Sequence, residues 1–278
     1  MSDSEFALID RYFRRPAPSA VLGVGDDAAL LAPSPGCELA VSVDMLVAGT
    51  HFFADVPPRA LGHKALAVNL SDMAAMGARP RWALLAGALP GVDAEWLSAF
   101  ADGFWSLADR HGVELVGGDT TRGPLNLCVT ILGEAPAGEA LRRGGAADGD
   151  DIWVSGPLGD AALAVAHRRG RVALPADVFR ACETALLWPQ PRVALGEALR
   201  TVADAAIDLS DGLVGDLGHV LVESRVGAEI ELAAIPASPA LRSLLDGEQR
   251  PLALECLLAG GDDYELVFTA LPSAGALP

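Results

Sequence analysis

Acidic residues recur in this sequence beside glycines, at places where buried strands are expected to end or the chain to turn. The segments are Gly25-Asp26-Asp27-Ala28, Gly117-Gly118-Asp119, Asp208-Leu209-Ser210-Asp211-Gly212 and Gly260-Gly261-Asp262-Asp263. A single Asp in such a place is ordinarily a helix cap or a turn residue. Because the pattern recurs along one chain, it favours a shared site built from carboxylates.

Two more carboxylates interrupt apolar elements. Asp44 falls in a strand predicted over residues 38–47, and Asp72 falls in a helix predicted from Pro57 to Gly77, three residues after Asn69 and on the same face. A carboxylate in apolar surroundings is costly unless it is paired or bound to a metal. Carboxylates gathered with little His or Cys select hard cations, and Mg2+ commonly bridges carboxylates to substrate phosphates. The pattern therefore predicts Mg2+-dependent phosphate chemistry.

Several familiar phosphate-binding motifs do not account for this chemistry. Residues 23–28 fit the dinucleotide pattern GxGxxG/A letter for letter, but Asp26 and Asp27 would repel a bare pyrophosphate, so this interpretation is disfavoured. The sequence lacks a GxxxxGK[ST] loop, and its single lysine, Lys64, lies in Gly-His-Lys-Ala. The protein-kinase motifs HRD and DFG are also missing.

Two basic side chains admit both a functional and a structural interpretation. His51 follows the strand that carries Asp44, so it either contacts a substrate or packs locally. Arg143, in the doublet Arg142-Arg143, is either solvated or part of a phosphate clamp. Trp96, Phe104 and Trp105, in contrast, have a helical spacing typical of core residues.

The charge and cysteine content of the sequence limit the kinds of partner and compartment that can be expected. The 278 residues include 37 Asp and Glu against 20 Lys and Arg, a formal net charge of -17, which disfavours nucleic acids and anionic membranes as partners. The four cysteines form no CxxC pair, and neither a signal peptide nor a continuous apolar run of membrane-spanning length is apparent. We therefore expect a cytoplasmic protein without membrane partners.

The predicted elements place the chain in the α/β (α+β) class, since helices and strands intermix in both halves. The composition changes between residues 134 and 150 and predicts a boundary between domains 1–137 and 138–278. A helix is predicted over residues 3–13. Short strands are predicted at 113–116, before the Gly117-Gly118 turn, and at 228–232.

Five motifs, in this order along the chain, resemble the thiamine-monophosphate kinase family. They are Gly25–Ala28, Ser42–Phe52, Lys64–Asp72, Gly117–Gly123 and Asp208–Leu213. The resemblance covers almost the whole chain. It implies a two-domain fold like that of aminoimidazole ribonucleotide synthetase, whose N-terminal ATP- and Mg2+-binding domain pairs its sheet with that of a second copy in a homodimer.

The resemblance also implies an activity and the roles of particular residues. ATP would phosphorylate thiamine monophosphate by direct in-line transfer, giving thiamine diphosphate and ADP. The implied Mg2+ ligands, for several ions, are Asp27, Ser42, Asp44, Asp72, Asp119, Asp208 and Asp211. The implied ATP contacts are Gly118, Asp119, Arg143 and Ser210, and the implied substrate contacts are His51 and Asp262.

The resemblance has two departures. The family usually carries Glu at the position of Asp262, so this carboxylate reaches one methylene less far. The family also continues beyond the Tyr264-Glu265-Leu266 strand, so the C-terminal domain is expected to lack its last segment. Two alternatives stay open: another ATP-dependent enzyme of the same superfamily, or an inactive relative that binds nucleotide or metal. No general base is expected, because the acceptor phosphate is already anionic at neutral pH.

Overall fold

The structure, a computed structural model, describes residues 9–272 and has the mixed α/β composition predicted from the sequence. The chain divides into two units. The first holds the described residues through Met73 together with Ala78–Gly138. The second holds Ala74–Gly77 and the described residues from Glu139 onward.

The first unit is built on a four-stranded sheet with the order β1-β4-β2-β3. Its strands are β1 (Cys37–Val47), β2 (Arg79–Leu89), β3 (Glu114–Arg122) and β4 (Asn126–Pro136). Strands β2 and β3 run parallel, whereas β4 is antiparallel to both β1 and β2. Two long helices accompany the sheet, α1 (Pro58–Ala75) and α2 (Ala94–His111).

The backbones of α1 and α2 touch where both helices carry glycine. A Cβ atom added to Gly62 would lie 2.0 Å from the carbonyl oxygen of Phe100, and one added to Gly103 would lie 1.9 Å from that of Arg59. No side chain fits at either position without moving a helix. The two glycines therefore bring α1 close to α2 and fix their crossing point.

The ends of α2 follow directly from its sequence. The side chain of Asp93 accepts hydrogen bonds from the backbone N–H groups of Glu95 and Trp96, at 3.0 and 3.1 Å, and caps the N-terminus. Gly112, with φ of 66°, ends the helix in the left-handed region. Phe104 and Trp105 on this helix are buried, as their spacing predicted, whereas Trp96 is only half-buried.

The second unit contains a three-stranded antiparallel sheet with the order β5-β7-β6. Its strands are β5 (Asp151–Val154), β6 (Ala205–Asp208) and β7 (Leu266–Ala270). Its helices are α3 (Asp160–Arg168), α4 (Ala176–Leu187), α5 (Val193–Leu199), α6 (Leu213–Ser224), α7 (Pro239–Leu245) and α8 (Arg250–Ala259). Between residues 9 and 272, none of the helices has the length and apolar character that crossing a bilayer demands.

The predicted strand at 228–232 is wrong. Residues 228–231 form no strand, and Leu232–Ala234 is a short 3-10 helix. A strand requires a neighbour for its N–H and C=O groups, and no described strand lies alongside this segment. A composition suited to a strand is therefore not enough to form one at residues 228–232.

The predicted turn at Gly117-Gly118 is also wrong, because β3 continues through it to Arg122. Of the helix predicted over residues 3–13, the described part, Ile9–Phe13, is a single π-helical turn. The remainder of that prediction falls outside the described residues.

Candidate active site

Asp44 and Asp72 face each other where α1 packs against β1. The Ser42 hydroxyl donates a 2.5 Å hydrogen bond to Oδ2 of Asp72, and the backbone N–H of Asp44 donates to Oδ1 of Asn69 at 3.2 Å. The amide group of Asn69 in turn donates to the carbonyl oxygen of Ala65, one helical turn earlier. The strand and the helix are thus joined by the residues that the sequence singled out for metal binding.

The two carboxylates lie close enough for their negative charges to repel each other. Burial, and secondly the charge of Asp72, raise the pKa of Asp44 to about 6 from its ordinary value of 3.8. A divalent cation would remove both the repulsion and part of the desolvation cost. Oxygen donors from Ser42, Asp44 and Asp72 are also the donor type that Mg2+ prefers, so these residues fit the ion.

The carboxylates supply only part of a coordination shell. Among residues 9–272, no three His, Cys, Asp or Glu side chains are grouped closely enough to hold a metal ion by themselves. Mg2+ commonly takes one or two carboxylates and fills its other positions with water and substrate phosphate oxygens. The Asp44–Asp72 pair therefore suits an ion that arrives with a phosphorylated ligand.

A cavity of about 800 Å³ in the first unit joins two of the glycine-rich segments. Residues 24–29, including Asp27, line it together with Gly118 and Asp119 of β3. Gly118 has φ of +154°, and a Cβ atom there would lie 1.9 Å from the carbonyl oxygen of Leu85, so only glycine fits. The close approach of β2 therefore requires glycine at position 118. The next residue, Asp119, is exposed beside the cavity.

The dinucleotide interpretation of residues 23–28 has no support in the local structure. The segment forms only isolated bridges, such as that between Val24 and Asp26, and the next regular element along the chain is β1. A dinucleotide fingerprint requires a strand, a tight turn and a helix in succession.

His51 lies on an exposed turn immediately after β1. Its Nδ1 accepts a 3.0 Å hydrogen bond from the backbone N–H of Val47, and its own backbone N–H donates to the carbonyl oxygen of Val47 at 2.9 Å. With Nδ1 acting as an acceptor, the neutral ring carries its proton on Nε2. The turn thus presents an Nε2–H donor, which suits contact with an anionic group.

In the second unit, three of the predicted residues lie at the end of β6, and a fourth, Arg143, lies beside the first part of the same strand. Asp208 is the last residue of the strand and is buried, whereas Ser210 and Asp211 are exposed in the following turn. The backbone N–H of Ala206 donates to the carbonyl oxygen of Arg142 at 2.9 Å, which places the exposed Arg143 next to the same strand.

Asp262 is attached to the same turn. Its backbone N–H donates to the carbonyl oxygen of Ser210 at 2.9 Å, and its φ of 62° lies in the left-handed region, which is uncommon for a residue other than glycine. The structure thus brings the predicted ATP contact Ser210 and the predicted substrate contact Asp262 together. The assigned roles of both residues stay predictions.

Three further acidic residues, to which the motifs assign no role, lie close to this turn. Asp216 in α6 accepts backbone hydrogen bonds from the turn, and Asp263 accepts one from the N–H of Gly159 at 2.9 Å. Glu265 forms a two-pronged ion pair with Arg192. Burial raises the pKa of Asp263 to about 8, with the neighbouring charges of Asp160, Glu265 and Asp262 adding to the rise and the Gly159 hydrogen bond opposing it.

Comparison with known proteins relates this arrangement to a family. Residues 25–135 match the family described as AIR synthase related protein, N-terminal domain. The thiamine-monophosphate kinase of Escherichia coli K12 is 49% identical over 274 residues, which cover 97% of this chain and 83% of the relative. The chain belongs to the thiamine-monophosphate kinase family. The family relationship predicted from the five motifs is thereby confirmed.

Solved structures of thiamine-monophosphate kinases share the fold. The crystal structure of the kinase from Stenotrophomonas maltophilia K279a superposes with a TM-score of 0.88 at 49% identity, covering 99% of this chain and 88% of the other. AaThiL complexed with AMPPCP and TMP superposes with a TM-score of 0.80 at 30% identity, covering 88% of this chain and 79% of the other. The mixed α/β class predicted from the sequence is confirmed.

Proposed function

We propose that this protein transfers the γ-phosphate of ATP to thiamine monophosphate, forming thiamine diphosphate and ADP. The observation that carries the proposal is the 49% identity to a thiamine-monophosphate kinase over 97% of the chain. The AaThiL complex, with an ATP analogue and TMP bound together, supports the same pair of substrates.

The chemistry demands little of the side chains beyond binding and alignment. A phosphate monoester oxygen is already ionised at neutral pH, so the acceptor does not need to lose a proton to a base. Phosphoryl transfer then depends on in-line positioning and on neutralising the charge of the phosphate oxygens. When bound, Mg2+ supplies much of that neutralisation. The abundance of carboxylates among the described site residues fits this scheme.

The proposed roles of individual residues are those that the family resemblance implies. Asp44, Asp72 and Ser42, which form the oxygen cluster at β1 and α1, would hold Mg2+, and Asp27 and Asp119, which line the cavity of the first unit, would be further ligands. Asp208 and Asp211 are proposed as additional Mg2+ ligands. Gly118, Asp119, Arg143 and Ser210 are the proposed ATP contacts. His51, through its Nε2–H donor, and Asp262 are proposed to contact thiamine monophosphate.

An ADP-release assay tests this function directly. The purified protein with ATP and Mg2+ is expected to release ADP only when thiamine monophosphate is added, with an equal amount of thiamine diphosphate formed. Thiamine and AMP serve as alternative acceptors, and ATP alone is the background control. Equal ADP release without thiamine monophosphate, or faster release with another acceptor, would contradict the proposal.

We further propose a homodimer formed through β1. Four apolar side chains on one face of this strand are 41–60% exposed: Leu39, Val41, Val43 and Met45. The strand is at an edge of the sheet, paired only with β4 among the described strands. An exposed apolar stripe on an edge strand is a pairing surface, and a second copy of the same stripe is complementary to it.

The cytoplasm is the proposed location. All four cysteines are free thiols, and Cys182 and Cys256 are buried. Unpaired cysteines fit a reducing compartment, where ATP is also available.

A further inference from the structure

One buried carboxylate organises the turn that follows β6. Oδ2 of Asp216 accepts hydrogen bonds from three consecutive backbone N–H groups, those of Ser210, Asp211 and Gly212, each at 3.0 Å. Asp216 lies in the first part of α6 and is only 3% exposed. The turn therefore wraps around a single oxygen atom that belongs to the helix it precedes.

This arrangement determines what the turn can offer a ligand. Consecutive N–H groups ahead of a helix commonly bind a phosphate or another anion. Here an internal carboxylate already occupies them, so they are directed inward. The side chains of Ser210 and Asp211 are exposed on the outside of the turn. The turn thus presents side-chain oxygens, and not amide N–H groups, to its surroundings.

The same turn is also held from a second side. The backbone N–H of Tyr264 donates to the carbonyl oxygen of Leu209 at 2.8 Å, and that of Leu209 donates to the carbonyl oxygen of Glu265 at 2.8 Å. The Asp262 N–H bond to the Ser210 carbonyl oxygen completes the connection. Asp216 thus binds N–H groups of the turn, and the segment 262–265 binds mainly its carbonyl groups.

We infer that Asp216 is a positioning residue for nucleotide binding. It acts through the Ser210–Gly212 turn, setting the direction of the Ser210 and Asp211 side chains without touching the nucleotide itself. Through the bond between Ser210 and Asp262, it also sets the position of the proposed substrate contact. This inference rests on the proposed function, because it assumes that the turn faces ATP and its Mg2+.

The test measures binding of Mg2+ and AMPPCP to the whole chain by calorimetry, which requires no turnover. Asp216→Ala removes all three acceptor contacts and is expected to weaken AMPPCP binding at least 10-fold. Asp216→Asn, which retains an oxygen acceptor but no charge, is expected to have a smaller effect. If the Ala variant fails to fold, the Asn variant provides the comparison.

The matched control is Asp93→Ala, which removes a two-contact helix cap from α2 and leaves the Ser210–Gly212 turn intact. It should lower the melting temperature and leave AMPPCP affinity unchanged. Wild-type affinity in both Asp216 variants would overturn the inference and show that Asp216 only stabilises the fold. Weaker binding in the Asp216 variants, together with a wild type that does not phosphorylate thiamine monophosphate, would refute the proposed substrate and leave the positioning role intact.

Discussion

Oδ2 of Asp72 lies 2.5 Å from the hydroxyl oxygen of Ser42. This hydrogen bond joins α1, which carries Asp72, to β1, which carries the proposed Mg2+ ligands Ser42 and Asp44. Asp44 follows Ser42 by two residues on the same face of that strand, and the negative charge of Asp72 contributes to its raised pKa. The acidic pair is therefore set in place by a hydrogen-bonded contact between helix and strand, before any ion binds.

Neutralising either member of this pair should remove most activity without unfolding the protein. Asp44→Asn and Asp72→Asn each delete a charged ligand, and we expect turnover to fall on the order of 100-fold or more, as for other preorganised electrostatic groups. Addition of Mg2+ with AMPPCP should raise the melting temperature of the wild type more than that of either variant. Near-wild-type turnover of either variant at saturating Mg2+ would contradict the ligand assignment.

His51→Ala should raise the KM for thiamine monophosphate and leave the KM for ATP nearly unchanged. Losing one hydrogen bond to a charged group costs about 1.5–3 kcal/mol, or roughly 10- to 150-fold in affinity. His51→Asn is the matched control, because its side-chain oxygen can accept the Val47 N–H bond while the Nε2–H donor is lost. The Asn variant should regain thermal stability but not the low KM. A destabilised Ala variant with an unchanged KM would assign His51 a structural role only.

No phosphorylated enzyme should accumulate during the reaction. With Nδ1 accepting the Val47 N–H, the neutral His51 ring has no exposed nitrogen lone pair with which to attack ATP. Incubation with γ-labelled ATP and Mg2+ without acceptor should therefore leave the protein unlabelled after denaturation. Stable label on His51 or on any aspartate would refute direct transfer.

Ionisation of Asp263 should make the ligand-free protein less stable as the pH rises. The free energy of unfolding should fall between the pKa of this carboxyl in the unfolded state and its higher pKa in the folded state. Its pKa is about 8 in the folded protein, against an ordinary 3.8. Between these values the folded state retains a proton that the unfolded state has released, so the stabilisation is complete below about 4 and lost as the pH passes 8. The loss is at most about 1.4 kcal/mol per pH unit.

Asp263→Asn should flatten this dependence, because the amide oxygen still accepts the Gly159 N–H while the group no longer titrates. Urea unfolding of both proteins between pH 5 and 9 gives the difference in slope. Glu248→Gln, at an exposed position, is the control and should follow the wild type. Identical slopes in the wild type and Asp263→Asn would show that Asp263 ionises normally.

A charge on the exposed face of β1 should dissociate the proposed homodimer. Val43→Glu places a carboxylate in the centre of the apolar stripe, where two copies would bring like charges together, so light scattering should give the mass of a monomer. Val222→Glu is the control, because Val222 is 75% exposed on α6 of the second unit and is not part of the stripe. A wild type that is monomeric at all concentrations would refute the dimer.

Carboxylates that stand out from their surroundings can be predicted as site residues from the sequence, whereas those in ordinary places cannot. Asp44 and Asp72 were recognised because charge is costly among apolar neighbours. Asp216 was missed because an Asp near the start of a helix is ordinary, and only the structure shows three N–H groups converging on it.

The two errors in secondary structure have a common cause, since strands depend on distant partners. Gly117-Gly118 was interpreted as a turn, yet the close approach of β2 requires glycine within a continuous strand. Residues 228–232 have a composition suited to a strand but no described strand to pair with. The local sequence shows neither the close approach of β2 to Gly118 nor the lack of a described strand beside residues 228–232.

Strand β1 serves two surfaces, because its residues alternate between the acidic site at α1 and the exposed apolar stripe. Consecutive side chains point to opposite faces, so the positions of Ser42 and Asp44 are interleaved with those of Val41, Val43 and Met45. Inserting or deleting a single residue at the start of this strand would exchange the two sets. One such change would place valines against Asp72 and expose Asp44. We therefore expect insertions and deletions in β1 to be strongly selected against.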